Sequence, residues 1–127
     1  MSKRVIFTHK APAPIGPYSQ AIKAGNFIFG SGQISINPKN NKLEGKNIEE
    51  QTKIIMENIK NILEENGYTL NDVVHVFVFL RNLEDYKKFN EIYGQFFTKD
   101  PPARTTIEVS DLPKGALIEI SYIAYKE

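Results

Sequence analysis

Hydrophobic and polar residues alternate along the chain with two different periods. Short stretches rich in β-branched and aromatic residues predict strands, and two longer stretches with apolar residues three and four apart predict helices. The predicted strands are, in chain order, Val5–Thr8, Ser19–Lys23, Phe27–Gly32, Val73–Leu80, Arg104–Val109 and Leu117–Tyr125. The polar segment Asn37–Gly45 and several Pro and Gly clusters separate these elements and predict loops.

The first predicted helix has one apolar stripe that advances by three or four residues at each step. The stripe consists of Ile48, Thr52, Ile55, Ile59 and Ile62. Asn47 is the expected N-cap, with Glu50 three residues later as in a capping box, and Gly67 is the expected left-handed stop.

The second predicted helix runs from about Leu83 to Phe97 and is capped by Asn82 or Asp85. Its inward stripe is Tyr86, Phe89, Tyr93, Phe96 and Phe97. Gly94 inside this helix costs about 1 kcal/mol relative to Ala, and close packing on a neighbour would explain its presence.

The order of elements predicts an α+β fold in which the helices cover one face of a sheet. Val73–Leu80 is apolar at consecutive positions, which is typical of a strand that is covered on both faces. We therefore expect the second face of the sheet to be buried against another subunit. Residues 1–127 are expected to form a single domain.

Composition and charge exclude several classes of function. With no Cys among its 127 residues, the chain has no disulfide, thiol nucleophile or thiolate metal site. Sixteen basic residues against fifteen acidic ones argue against a nucleic-acid partner. His9 and His75 are the only histidines and predict no metal site. No apolar run approaches the ~20 residues of a membrane span, and the N-terminal residues are too short and polar for a signal peptide, so a cytoplasmic protein is expected.

Arg104 and Glu119 are the most informative charged residues. Arg104 is one of only three arginines and has no acidic residue beside it in the sequence, so it is either a surface residue or a ligand for a carboxylate. Strand alternation places Thr106 on the same face as Arg104. Glu119 points away from its apolar neighbours in the last strand, and is either solvent-facing or a half-buried general base.

Tyr18 and the segment Gly30-Ser31-Gly32 are weaker candidates. Tyr18 follows a loop stiffened by prolines, where it either packs or lines a pocket. The two glycines at the end of a strand allow the backbone to approach a ligand closely. His75, inside the strand Val73–Leu80, is most simply a core or interface residue.

Five short motifs together resemble one protein family. They are Ile15-Gly16-Pro17-Tyr18-Ser19-Gln20, Gly30-Ser31-Gly32-Gln33-Ile34, Pro102-Ala103-Arg104, Leu112-Pro113-Lys114 and Ile118-Glu119-Ile120. In this order and spacing they resemble the RidA/YjgF family of enamine/imine deaminases, over essentially the whole chain from Lys3 to Tyr125.

The resemblance implies a chorismate-mutase-like fold: a mixed six-stranded sheet with two helices on one face, assembled as a homotrimer around a central barrel. It implies ligand clefts between subunits, with a further strand lying between those of Arg104 and Glu119. By motif match, Arg104 binds the substrate carboxylate and Glu119 positions the attacking water. The implied pocket residues are Tyr18, Ser31, Gly32, Asn90 and Thr106. Many family members have Cys where this chain has Thr106, so a thiol has no role here.

The activity implied is hydrolytic deamination of reactive 2-imino acids and their enamine tautomers, such as 2-iminobutyrate and 2-aminoacrylate, to 2-keto acids and ammonia. This is the reaction of a 2-iminobutanoate/2-iminopropanoate deaminase. No metal or organic cofactor is required, because the iminium carbon is already electrophilic. Two alternatives stay open: an endoribonuclease or translation inhibitor, and a non-catalytic trimer that binds keto acids or acts like a chaperone.

Overall fold

The computed structural model describes residues 2–127. Its eight strands are β1 (Arg4–Ile6), β2 (Ala21–Ala24), β3 (Phe27–Gln33), β4 (Ile36–Asn37), β5 (Lys42–Leu43), β6 (Val73–Leu80), β7 (Ala103–Glu108) and β8 (Ile118–Tyr125). Its two α-helices are α1 (Ile48–Glu64) and α2 (Tyr86–Phe96). Six strands form one mixed sheet in the order β1-β2-β3-β8-β6-β7, in which only β6 and β7 pair in parallel.

The six predicted strands are confirmed, although several of their ends differ by a few residues. The hairpin of β4 and β5 was not predicted, because part of it lies in the segment read as a polar loop. Ile36 pairs with Leu43 and Asn37 with Lys42, so each strand has only two residues. Two residues are too few to show the alternation from which a strand is recognised.

The predicted ends of α1 are confirmed. Oδ1 of Asn47 accepts a hydrogen bond from the backbone N–H of Glu50 at 2.9 Å. After the helix ends at Glu64, Gly67 adopts a left-handed conformation with φ of 77°. The N–H of Tyr68 then bonds to the carbonyl of Leu63 at 2.9 Å, which closes the end of the helix.

The second predicted helix is wrong at its start. The chain forms a separate 3-10 turn over Leu83–Asp85, and α2 begins only at Tyr86. Asn82 caps the 3-10 turn by accepting a hydrogen bond from the N–H of Glu84, whereas Asp85 makes no side-chain cap. Tyr86 is 42% exposed and does not belong to the buried stripe. Nothing in the single chain packs closely against Gly94, since a Cβ placed there would meet no atom within 4 Å.

Both helices pack on one face of the six-stranded sheet, as predicted. The shared core consists of side chains from α1 (Ile55, Met56, Ile59, Ile62, Leu63), from the sheet (Ile28, Val76, Val78, Leu80, Ile118, Ile120) and from α2 (Phe89, Tyr93). From Val76 to the end of β6, and from Ile118 to Ala124 in β8, every second residue is buried in this core, which is the alternation expected of strands.

The opposite face of the sheet is apolar and bare in the single chain. We call it the open face; among its side chains are Phe27, Phe29, Phe77, Phe79, Ile107, Ile123 and Tyr125. Phe29 is 45% exposed and Ile107 46%. His75 also lies on this face, with Nε2 3.2 Å from Oγ1 of Thr105. The apolar character of the second face is thus confirmed, and its cover by another subunit stays a prediction. Within residues 2–127, no helix has the length and apolar character required to cross a membrane.

Candidate active site

A bulge in β3 shapes the centre of the candidate site. Gly30 pairs with Tyr122 and Gln33 with Ile120, so two residues of β3 lie opposite one residue of β8. A Cβ on Gly30 would overlap with the ring of Tyr122, lying 2.6 Å from its Cδ1. Only glycine fits at this point of the strand.

The bulge brings the backbone of Gly32 against the carboxylate of Glu119. A Cβ on Gly32 would lie 2.8 Å from Cδ of Glu119 and nearer still to Oε2. Glu119 is paired with Phe79 and is therefore on the open face, as strand alternation predicted. Burial raises the pKa of the Glu119 carboxyl above its usual value. Of the two alternatives that the sequence left open for Glu119, the structure has the half-buried carboxylate.

A buried glutamine holds the proline-rich loop beside the bulge. Gln20 is 2% exposed; its Oε1 accepts a hydrogen bond from the N–H of Thr8 at 2.7 Å. Its Nε2 lies within hydrogen-bonding distance of three carbonyls, those of Thr8, Ala11 and Pro12. The sequence reasoning gave Gln20 no role. Its only signal was that it is a polar residue within the predicted strand Ser19–Lys23 and inside one of the five motifs.

Ser31 joins the same loop to the bulge. Its hydroxyl donates a hydrogen bond to the carbonyl of Ser19 at 2.6 Å, and its N–H bonds to the carbonyl of Gln20 at 3.0 Å. Tyr18 is 48% exposed, and its hydroxyl accepts a hydrogen bond from the N–H of Ile15 at 3.3 Å. Tyr18 is thus a fixed phenol at a surface and not a core residue.

These residues line a cleft of about 440 Å³. Four predicted site residues meet there: Tyr18, Ser31, Gly32 and Glu119. The other walls are largely apolar and include Pro12, Ile15, Ile34, Ile36 and Pro113. A small organic ligand with an apolar side chain fits such a cleft, in which Glu119 is the ionisable group with a shifted pKa.

Lys114 is a cleft residue for which the sequence analysis predicted no role. Its backbone is left-handed, with φ of 58° and ψ of 21°, between Pro113 and Gly115. Asn41, with φ of 59°, lines the same cleft. Left-handed residues other than glycine are uncommon and concentrate at functional sites. Only the folded backbone reveals this conformation, because Lys has no preference for it.

Arg104 lies elsewhere, on the helix side of the sheet. It pairs with Val76, a core residue, and its NH2 donates a hydrogen bond to the hydroxyl of Tyr86 at 2.9 Å. Its Cζ is 5.5 Å from the ring centroid of Tyr86, 5.1 Å from that of Phe89 and 4.9 Å from that of Tyr93. Within residues 2–127, no carboxylate lies within 4.0 Å of this guanidinium. It is half-buried and free to bind an anion.

Asn90 and Thr106 are not in the cleft. Thr106 pairs with Val78 on the Arg104 side, and its Oγ1 is buried without a hydrogen-bond partner. Asn90 is partly buried in α2. Tyr93 of the same helix has a buried hydroxyl without a partner, and burial raises the pKa of Tyr93 to about 12 despite the opposing charge of Arg104.

One chain therefore does not bring Arg104 and Glu119 together. The two residues lie on opposite faces of the sheet, and β6 separates their strands. The intervening strand is as the resemblance implied. Within residues 2–127, no group of three His, Asp or Glu side chains is placed to hold a metal ion.

The fold is a six-stranded sheet with two helices on one face and a cleft beside the bulge in β3. Comparisons with known proteins identify the family that has this fold. The family model described as endoribonuclease L-PSP matches residues 8–126. A RutC family protein of Pyrococcus abyssi is 59% identical, with full coverage of both chains. A structure of a Thermotoga maritima protein described as a putative endoribonuclease has a TM-score of 0.95 at 46% identity, with 98% of both chains covered.

Other relatives are named for a different activity. The 2-iminobutanoate/2-iminopropanoate deaminase of Dermatophagoides farinae is 41% identical over 98% of both chains. The chloroplastic Reactive Intermediate Deaminase A of Arabidopsis thaliana is 43% identical, over 98% of this chain and 66% of that one. A structure of Escherichia coli TdcF with bound serine has a TM-score of 0.93 at 34% identity, covering 98% of this chain and 99% of that one. This chain belongs to the RidA/YjgF family.

Proposed function

We propose that this protein hydrolyses reactive 2-imino acids, and their enamine tautomers, to 2-keto acids and ammonia. The observation that supports it most is the half-buried Glu119 carboxylate, with its raised pKa, packed against the backbone of Gly32 in the cleft. Relatives named as deaminases and a relative with bound serine are consistent with a small ligand that has a carboxylate beside a carbon–nitrogen bond.

The proposed chemistry uses the two charged groups in sequence. Arg104 binds the substrate carboxylate through its free N–H donors and orients the C=N carbon. Glu119 takes a proton from a water molecule, whose oxygen forms a bond to that carbon. Glu119 returns this proton to the nitrogen of the tetrahedral adduct, the C–N bond breaks with release of ammonia, and the hydroxyl of the adduct loses its proton to solvent as the C=O of the keto acid forms. A raised pKa makes the Glu119 carboxylate a stronger base towards water, while its protonated form is still a far stronger acid than an ammonium group and can pass the proton to the amine nitrogen of the adduct.

We infer that the complete site lies between two subunits of a homotrimer. Arg104 and Glu119 lie on opposite faces of one sheet, so a second chain has to supply one of them. The open face offers a large apolar surface of the kind that subunit interfaces bury. Packing three such faces around one axis would cover these aromatic side chains and place the cleft of one chain beside the Arg104 of the next.

The first experiment measures imine hydrolysis directly. An amino-acid dehydratase generates 2-iminobutyrate from threonine, and the surviving imine is trapped with semicarbazide. We expect wild-type protein to remove the imine faster than buffer, and Glu119→Gln to lose about 10²–10⁴-fold in rate. Equal rates for wild type and Arg104→Ala would refute the proposed roles.

The second experiment tests where the site is assembled. Arg104→Ala and Glu119→Gln chains, each inactive alone, are mixed in denaturant and refolded together. In randomly mixed trimers about a quarter of the sites would pair an intact Arg104 with an intact Glu119 from a neighbour, and activity should return to about that level. No recovery in trimers shown by mass spectrometry to be mixed would exclude a site that combines Arg104 of one chain with Glu119 of another.

The names of the family model and of the Thermotoga maritima protein favour ribonuclease activity as the second candidate. The net charge of +1 argues against it. RNA cleavage that survives repeated purification and is lost in Glu119→Gln would support this candidate. Keto-acid binding that persists without any imine hydrolysis would instead support a non-catalytic trimer.

A further inference from the structure

The Arg104 guanidinium is held by aromatic side chains before any ligand binds. Its NH2 donates a hydrogen bond to the hydroxyl of Tyr86 at 2.9 Å, and the buried hydroxyl of Tyr93 also interacts with the guanidinium. The rings of Tyr86, Phe89 and Tyr93 all lie within 5.5 Å of Cζ. A guanidinium has five N–H donors, so most of them are left for a ligand.

Tyr86 is tied to the strand that bears Arg104. The carboxylate of Glu108, in β7, accepts a hydrogen bond from the N–H of Leu83 at 2.8 Å. Leu83 begins the 3-10 turn that leads directly into Tyr86, the first residue of α2. Both ends of the Tyr86–Arg104 contact are thus fixed to β7, so the hydroxyl can set the direction of the guanidinium.

Phe89 and Tyr93 restrict the guanidinium in a different way. Phe89 is fully buried and Tyr93 nearly so, and both belong to the core. Their rings provide cation–π contacts that limit where the guanidinium can lie but do not fix its rotation. Tyr86 is the residue that supplies a directional contact, because its hydroxyl is the acceptor for a specific N–H of Arg104.

We propose that Tyr86 is a positioning residue for the substrate carboxylate, acting through Arg104. Its hydroxyl accepts a hydrogen bond from NH2 and so fixes the rotation of the guanidinium. The remaining N–H donors can then point towards the same carboxylate. A preoriented arginine loses less conformational entropy when it binds. The inference rests on the proposed function, since it assumes that Arg104 binds the carboxylate. Tyr86 contributes to the affinity for the substrate and does not take part in the chemical step.

The test compares Tyr86→Phe with Tyr68→Phe. Tyr68→Phe is a matched control, because the Tyr68 hydroxyl also makes a hydrogen bond, to the carbonyl of Asn26 at 2.8 Å, but lies away from Arg104 and the cleft. We expect Tyr86→Phe to raise the KM for 2-iminobutyrate, and the Kd for 2-oxobutanoate measured by calorimetry, about three- to tenfold. Its kcat and melting temperature should stay near those of wild type. Tyr86→Leu, which also removes the ring, should weaken binding further.

The possible results separate this inference from the proposed function. If Arg104→Ala binds 2-oxobutanoate as wild type does, the proposed function fails. If Arg104→Ala loses binding while Tyr86→Phe and Tyr86→Leu keep the wild-type Kd and KM, only the role of Tyr86 is overturned. A fall in melting temperature with unchanged KM in Tyr86→Phe would also overturn it, because the contact would then be structural.

Discussion

At the scale of single residues, Glu119 is placed where ionisation is unfavourable. Burial raises the pKa of its carboxyl, so the folded protein holds the proton to a higher pH than the unfolded chain does. A proposed general base with this property becomes active only above its raised pKa. The same shift also affects the stability of the folded state.

We predict that the acid limb of the profile of kcat/KM against pH reports Glu119. The rate should rise with pH through a value above that of an ordinary glutamate, because the carboxylate has to be ionised to accept a proton from water. Steady-state rates across pH test this. A wild-type limb centred at the value of an exposed glutamate, or one that persists in the residual activity of Glu119→Gln, would contradict it.

A second prediction concerns stability. Because the folded state binds the proton more tightly, the free energy of unfolding should fall as pH rises from the unfolded to the raised folded pKa of Glu119. Glu119→Gln should lack this fall and be more stable than wild type at neutral pH. Urea unfolding at several pH values measures it. A variant that is less stable than wild type at neutral pH would show that the ionised carboxylate is favourably bonded.

Gly32→Ala tests the contact between the bulge and the carboxylate. The new Cβ would overlap with Glu119 and displace it, so we expect at least a tenfold loss of kcat/KM. Because Gly32 is exposed, the melting temperature should change little. Unchanged kcat/KM, with the carboxylate of Glu119 still in place in a structure of the variant, would show that this contact is not needed.

At the scale of secondary structure, the local pattern predicted the strands and α1 because their periods are strong. The pattern was misleading at the start of α2, where Asn82 is the N-cap of a 3-10 turn and not of the helix. It also left β4 and β5 unrecognised. Strand alternation predicted which neighbours share a face with Arg104 in β7 and which share a face with Glu119 in β8. It could not predict that Arg104 and Glu119 lie on opposite faces of the sheet, because the order of strands in the sheet is decided by packing across the molecule.

Residues whose role depends on distant neighbours were the hardest to predict. Gln20 is buried because three carbonyls of the preceding segment converge on its amide, and Lys114 is left-handed because of the turn around it. Neither condition is visible in the adjacent sequence. Asn90 and Thr106 lie outside the cleft, so their predicted roles depend on the proposed site between chains.

We predict that Gly94→Ala stabilises α2. The new Cβ meets no atom within 4 Å, and alanine is favoured over glycine in a helix by about 1 kcal/mol. The free energy of unfolding from chemical denaturation should rise by up to that amount, with unchanged activity. A decrease in stability or a loss of assembly would show that another subunit packs against Gly94.

At the scale of the whole molecule, the open face predicts that the chain associates with other subunits, and the proposed assembly is a homotrimer. Sedimentation should give about three times the chain mass of 14.5 kDa. Phe29→Lys, at a 45% exposed position of this face, should yield single chains without imine hydrolysis. Lys53→Glu on the exposed side of α1 is the control and should stay assembled. A single-chain wild-type protein at micromolar concentration would contradict the proposal.

The hydrogen bonds of the Gln20 side chain connect the proline-rich wall of the cleft to the segment that follows β1. The same amide group bonds to Thr8, two residues after β1 ends, and to the proline loop that leads to Tyr18. Detachment of the first strand would release these bonds together and loosen the cleft while the helices and the central strands stay folded. We therefore expect local opening at this edge of the sheet to inactivate the protein before it melts globally.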